Sequence, residues 1–227
     1  MPPLPHRFRP VNAVLLARLR EGWAHQTYPL LVEHDEGGGT RLCPATTLWT
    51  GGRAVADHLR ASGYGAGARI GFTGAAGISW VWAMLGCLAE GCVFVPFSPR
   101  WPVALLAERL RQVPPHAVLD SDGTLTPFAE RAPAEAKASA IILWPRGSRH
   151  PQTIGSAALL DRLMQTPRAA AVGLVAPPVH AVLDDGMDVD SALELLLALA
   201  VSAEVHVAPM PLSTSDSACP APDQPAP

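Results

Sequence analysis

Ile78-Ser-Trp-Val-Trp-Ala-Met-Leu-Gly-Cys-Leu-Ala-Glu-Gly-Cys-Val-Phe-Val-Pro-Phe97 is the stretch that settles the fold class. Ile78 to Ala89 is apolar almost all round, as a helix buried on every side must be. Cys92 to Phe97 is a continuous apolar run of strand length, as a strand covered on both faces requires. The apolar run from Trp80 to Phe97 nearly reaches membrane-spanning length. Glu90, Gly91 and Pro96 divide it into a helix and a strand, so it reads as core and not as a span.

The same alternation continues in both directions. Upstream, Leu48, Gly52, Val55, Ala56 and Leu59 share one helical face, Gly63 ends that helix, and Arg69 to Thr73 reads as a short strand. Downstream, Pro102 suits a helix start because its missing N–H has no partner to lose there. Val103, Leu106, Leu110 and Val113 then recur at helical spacing, and His116 to Asp120 is a strand closed by Ser121-Asp122-Gly123. Strands of about five residues alternating with helices of about twelve are the mark of βαβ units. The fold class is therefore α/β, a layered parallel-sheet (αβα) subdomain. Before this block, Val11 to Glu21 is a short amphipathic segment, Tyr28 to Glu33 is rich in strand formers, and Gly37 to Gly39 turns the chain into a hairpin arm at Thr40 to Leu42. After it, residues 124–137 read as a surface connection, followed by a strand at Ala140–Trp144 and a helix at Ser156–Met164. A strand at Val172–Ala176, a helix at Val189–Ala200 and a last strand at Glu204–Ala208 complete the series. The expected organisation is an N-terminal segment over 1–24, one domain over 25–210, and a disordered Pro-rich tail over 211–227.

Nearly half of the residues are apolar (48%), enough for a large core, and a net charge of −3 gives no electrostatic footprint for nucleic acid. Of the 17 cationic residues only Lys137 is a lysine, so any mechanism needing one has a single candidate. Cys43, Cys87, Cys92 and Cys219 form no CxxC pair, and Cys87 and Cys92 read as buried thiols. The N-terminus lacks the apolar core of a signal peptide, which points to the cytoplasm. The histidines show no metal-ligand spacing, His34 between Glu33 and Asp35 included, and no metal site is expected. Gly63-Tyr-Gly-Ala-Gly67 follows a helix and precedes a strand, the wrong context for a dinucleotide loop, so it reads as a helix stop. No Gly-x-Ser-x-Gly elbow is present.

The stretch Ile141-Ile-Leu-Trp-Pro-Arg-Gly-Ser-Arg-His-Pro-Gln-Thr-Ile154 carries the candidate site. A strand ends, a polar segment follows, and a helix begins near Ser156. That order lets backbone N–H groups and a helix dipole hold phosphate, with Arg146 and Arg149 adding positive charge. The alternative reading is an ordinary strand–helix connection, since one glycine and no lysine leave little to wrap a polyphosphate.

In order and spacing, Leu48 to Leu119 resembles the start of the AMP-forming acyl-CoA synthetase, adenylation-domain and luciferase superfamily. The residues that carry the resemblance are Ala56-Asp-His-Leu59 with Gly63, Gly67-Ala-Arg-Ile70, Leu88-Ala-Glu-Gly-Cys-Val-Phe-Val-Pro96, Ser98-Pro99 with Pro102, and Pro114-Pro-His-Ala-Val-Leu-Asp120. It extends over roughly residues 25–210. The resemblance implies a fold like the N-terminal part of adenylate-forming ligases and chemistry that joins a carboxylate to ATP, with Mg²⁺, to give an acyl-adenylate. The family's phosphate loop, Thr-Ser-Gly-Ser-Thr-Gly-x-Pro-Lys-Gly, falls on Trp144 to Thr153. Here Arg146, Gly147, Ser148, Arg149 and Gln152 occupy it, with Gln152 in place of the lysine. Ala176-Pro-Pro-Val-His180 is similar to the family's acyl-pocket segment, which makes His180 a candidate substrate-binding residue; a satisfied histidine at a strand end is the alternative. The adenine-binding, hinge and C-terminal lysine segments of the family have no counterpart, so the chain reads as a truncated ligase with a degraded loop and no catalytic residue of its own. The expected role is a binding or scaffold module in a lipid or specialised-metabolite pathway. The alternative is one half of a split acyl-adenylate-forming ligase, with a partner chain supplying the rest or an acyl or peptidyl carrier protein as partner.

Overall fold

The computed structural model describes residues 9–24, 26, 28–35, 38–128, 139–145, 147–165, 179–182, 189–200 and 204–207. The strand expected at 172–176 and the tail beyond 210 lie outside them. Helix α3 (Ile78–Glu90) is buried along nearly its whole length, as its unbroken apolar run requires. It stops at Gly91, whose φ of 71° only glycine adopts without strain. The Cys92 N–H then reaches back to the Cys87 carbonyl at 2.8 Å, closing the helix end in the Schellman manner.

On either side of α3 lie β3 (Arg69–Thr73) and β4 (Val93–Phe97), paired in parallel with Ile70 opposite Phe94. Helix α2 (Ala45–Ala61) precedes β3, and α4 (Val103–Gln112) leads from β4 to β5 (Ala117–Asp120), which returns to the far side of β3. Strand β7 (Ser139–Leu143) joins the other side of β4. Alternation along β4 assigns the faces. Phe94 points into the cluster holding α2 and α3, where Trp80 meets its ring edge-on at 5.1 Å. Val93, Val95 and Phe97 point the other way and pack with Leu106 and Leu110 of α4. The αβα layering read from the sequence is therefore present.

Two antiparallel edge strands were not expected. Residues 124–137 contain β6 (Leu125–Pro127), which pairs with β5, and β8 (Gln152–Gly155) pairs with β7. The six-stranded order is β6-β5-β3-β4-β7-β8. The remaining strands form a second sheet, β2-β1-β10-β9. In it the hairpin of β1 (Leu31–His34) and β2 (Thr40–Cys43) meets β10 (Glu204–Val207) and β9 (Val179–Val182), both running parallel to β1. Helix α1 (Arg9–Trp23), α5 (Ser156–Gln165) and α6 (Val189–Ala200) fill the space on the α3 side and share one apolar cluster with both sheets. Leu15, Leu19 and Trp23 of α1 are buried there, whereas Val14 is 47% exposed.

Candidate functional site

The C-terminal ends of β4 and β7 lie side by side, because Phe94 pairs with Ile141. In open α/β sheets this is the edge where ligands bind. Two loops rise from it, Ser98 to Pro102 after β4 and Trp144 to Pro151 after β7.

The second loop is the tip of a β-hairpin, and this corrects the geometry read from the sequence. The chain does not pass from loop to helix; it first returns down β8, with Gln152 opposite Leu143 and Gly155 opposite Ser139. Helix α5 starts at Ser156, at the opposite end of β7 from the tip. At about 3.3 Å per residue its N-terminus lies roughly 10 Å or more from Gln152, and a helix dipole acts only within about its first turn. The dipole is not aimed at the tip.

At the tip, Gly147 (φ 74°), Ser148, Arg149 and Gln152 come together; Arg146 lies outside the described residues. The Ser148 N–H donates to the Pro145 carbonyl at 2.9 Å, and the His150 N–H donates to Ser148 Oγ at 3.1 Å. These two donors are engaged within the turn. A phosphate cradle instead needs successive N–H groups that converge on one point and remain open. Arg149 and Gln152 are exposed.

The base of the hairpin is held firmly. Trp144 is 1% exposed and its indole N–H donates to Gln112 Oε1 of α4 at 3.0 Å. Its ring lies 5.8 Å from that of Phe97 and 5.7 Å from that of Trp101. The buried Arg109 guanidinium stacks 3.6 Å over Trp101 and 5.1 Å from Trp144. Sequence reasoning passed over this Arg–Trp–Trp cluster. The signal was there: Trp101, Arg109 and Trp144 are bulky residues at strand ends and on one short helix, but their meeting is set by the β4–β7 pairing.

His180 sits on β9, in register opposite Val205, in the four-stranded sheet and not in the sheet that carries the hairpin. Asp184 and Asp185, the acidic residues that follow His180 in the sequence, lie outside the described residues. A cleft of about 580 Å³ opens elsewhere, between Thr46, Thr50, Val55 and His58 of α2, Trp82 of α3 and Leu119 of β5. It shares no residue with the hairpin, and its walls are largely apolar. Among the described residues, no group of three or more His, Cys, Asp or Glu side chains is placed to hold a metal ion, and no helix is long and apolar enough to cross a membrane.

A family model for AMP-binding enzymes matches residues 47–177, from the start of α2 past the hairpin and α5. The chain belongs to the AMP-binding enzyme family. Solved structures agree on the fold. CmiS6 aligns at 22% identity with a TM-score of 0.66, over 93% of this chain and 54% of its own. VinN bound to L-aspartate aligns at 17% identity and a TM-score of 0.64, over 87% and 62%. The fatty acid AMP ligase of Legionella pneumophila aligns at 16% and 0.67, over 91% and 41%. No curated protein sequence matches. This member of the family spans about half the length of the structures it resembles, and at these identities the likeness concerns the fold.

The hairpin spans Trp144 to Thr153, the stretch expected from the sequence to answer to the phosphate loop of the AMP-binding family. The hairpin keeps Pro151 but has Gln152 where the motif has lysine. The described residues fit ATP–Mg²⁺ poorly: two tip donors are engaged internally, none of these residues carries an ammonium group, and the nearest following helix end faces away.

Proposed function

We propose that this AMP-binding family member uses the ligase fold as a binding or scaffold module in a lipid or specialised-metabolite pathway and does not form acyl-adenylate by itself. The observation that carries this reading is the hairpin tip, with Gln152 in the lysine position and the Ser148 and His150 N–H groups engaged inside the turn. Adenylate formation builds negative charge on the phosphates in the transition state and depends on cations and open donors preorganised around them. Loss of one such donor costs about a hundredfold or more in rate. By family resemblance the ligand class is a carboxylic acid, its adenylate or its thioester, with His180 as the candidate contact and an acyl or peptidyl carrier protein as candidate partner. The test is hydroxylamine trapping of acyl-adenylate by the purified chain with ATP–Mg²⁺ and a panel of fatty, aryl and amino acids. Hydroxamate at background is expected; time-dependent hydroxamate with any acid overturns the reading.

A second reading, one half of a two-chain ligase, follows from the family match over residues 47–177. It requires a partner that brings both an adenine site and a lysine to the hairpin. Trapping that turns positive only when a purified partner is added would establish it.

A further inference from the structure

The four-stranded sheet carries a side-chain relay that the nucleotide chemistry leaves unused. His34 Nε2 of β1 lies 2.9 Å from His206 Nδ1 of β10, across 172 residues of sequence. The two rings are nearly coplanar, 17° apart, and their centroids are 5.2 Å apart. That separation nearly equals the N···N distance plus the two ring radii, so the lone pair of one nitrogen points straight at the other. This is the geometry of a shared proton, and it differs from that of a metal chelate, in which both lone pairs turn toward a third point. The outer nitrogens are also held: His206 Nε2 meets Glu204 Oε1 at 2.8 Å, and His34 Nδ1 meets Thr40 Oγ1 at 3.3 Å.

The carboxylate fixes the direction of the relay, because an ionised carboxylate only accepts. His206 therefore donates from Nε2 to Glu204 and accepts at Nδ1. His34 donates to it from Nε2 and accepts the Thr40 hydroxyl proton at Nδ1. One added proton is tolerated: it settles on His34 Nδ1, and the Thr40 hydroxyl turns to accept it. A second is not. It would go on His206 Nδ1, placing two N–H groups head to head at 2.9 Å between two cations.

We propose that Thr40, His34, His206 and Glu204 form a pH-operated clasp that holds β10, and β9 beyond it, against β1, and that a second proton on the histidine pair opens it. The other ionisable groups around the pair are few. Tyr28, ahead of β1, is pushed up by burial and then by the Glu204 carboxylate, and so stays neutral. Glu33 of β1 and Arg41 of β2 pair with each other, and Asp35 follows β1. On β9 the residue in register opposite His206 is Ala181. Among the described hydrogen bonds, the carboxylate that meets the pair is that of Glu204, enough to offset one added charge and not two. The clasp is independent of nucleotide binding.

Amide hydrogen exchange on the full chain, corrected for the intrinsic pH dependence of exchange, tests it between about pH 7.5 and pH 5, the range that brackets ordinary imidazole titration. The Val205 N–H, bonded to the Leu30 carbonyl at 2.9 Å, reports on the joint. Protection over residues 204–207 is expected to fall about tenfold or more on acidification, while α3 stays protected. His34→Gln keeps a donor toward His206 and removes a titrating group, so it should abolish the acid step. Unchanged protection of 204–207 down to pH 5, or an identical acid step in His34→Gln, overturns the proposal. Should that variant not fold, nitrogen-15 spectra of the wild-type imidazoles decide. Stepwise protonation with His34 in the Nε2–H tautomer supports the clasp; two identical, independent titrations refute it.

Discussion

Gln152 shows what one residue at a hairpin tip does and does not decide. Its place at the motif's lysine is an expectation from the resemblance, in which Pro151 is kept; the exposure of its side chain at the hairpin is what the structure adds. The engagement of the neighbouring donors was not legible in the sequence, since it depends on the turn conformation at Gly147 (φ 74°). Restoring the lysine therefore supplies a charge without a cradle. Gln152→Lys is expected to raise affinity for ATP–Mg²⁺ by less than about tenfold, as an exposed ion pair contributes about 1 kcal/mol or less; titration calorimetry on both proteins measures it. A hundredfold gain would mean that the tip rearranges around phosphate. The thiols are a second residue-scale case. Burial pushes Cys92 up to about 12, with Glu90 adding to it, and burial is the main cause that pushes Cys43 up to about 11. A thiol raised in the folded state favours folding while protonated. That contribution is full below the ordinary thiol range near 8.5 and is lost as pH rises through the folded value. Urea stability should accordingly be flat from neutrality to about pH 8 and fall steadily above about 9. In the native protein at pH 8, Cys43, Cys87 and Cys92 should resist alkylation that goes to completion in urea.

At the scale of elements, the helices and the central strands were readable because each carries its own apolar pattern. Arg69–Thr73 and Val189–Ala200 were expected at the bounds the structure gives. The missed strands β6 and β8 have three and four residues and mostly exposed side chains, so a partner strand and not a hydrophobic period makes them strands. Missing β8 is what misdirected the α5 dipole. The α2–α3 pair illustrates a different limit. Gly51, Gly52 and Gly86 read as weak points in helices, yet they allow close approach. A Cβ on Gly86 would lie 2.5 Å from Val55 Cγ1 and 3.0 Å from the Ala56 nitrogen, and one on Gly52 would lie 2.7 Å from Leu85 Cβ. Alanine at Gly86 gains about 1 kcal/mol of helix propensity but must push α2 aside, which costs about 1–3 kcal/mol. Gly86→Ala should therefore be neutral to destabilising, and Gly86→Leu should lower the melting temperature sharply. A rise in Tm for Gly86→Leu would mean that the two helices do not cross this closely.

For the molecule as a whole, the α/β class followed from periodicity, but the division into two sheets did not. Pairing β1 with β10 closes a loop of most of the chain, and no local pattern announces such a contact. What makes the two sheets one cooperative body is the shared cluster that runs from Leu15 and Leu19 through Phe72 and Trp80 to Leu196 and Val205. Helix α1 ties the ends together: Asn12 Nδ2 donates to the Leu88 carbonyl of α3 at 3.0 Å, and the Trp23 indole donates to the Leu199 carbonyl of α6 at 2.7 Å. Trp23 is 4% exposed, so removing its N–H leaves a carbonyl without that donor in the interior. Trp23→Phe should cost about 1–3 kcal/mol for that group, with a further loss for the smaller ring. If the cluster couples both sheets, the loss will shift one transition and will not detach a part. Urea unfolding followed by circular dichroism at the helix band and by tryptophan fluorescence should give coincident curves in the wild type and in Trp23→Phe, with an unchanged slope and a lower midpoint. Curves that separate in the variant, with the helix band leaving first while the remaining tryptophans of α2, α3 and the larger sheet hold their fluorescence, would show that α6 and the four-stranded sheet unfold as a unit of their own, held to the larger sheet mainly through α1.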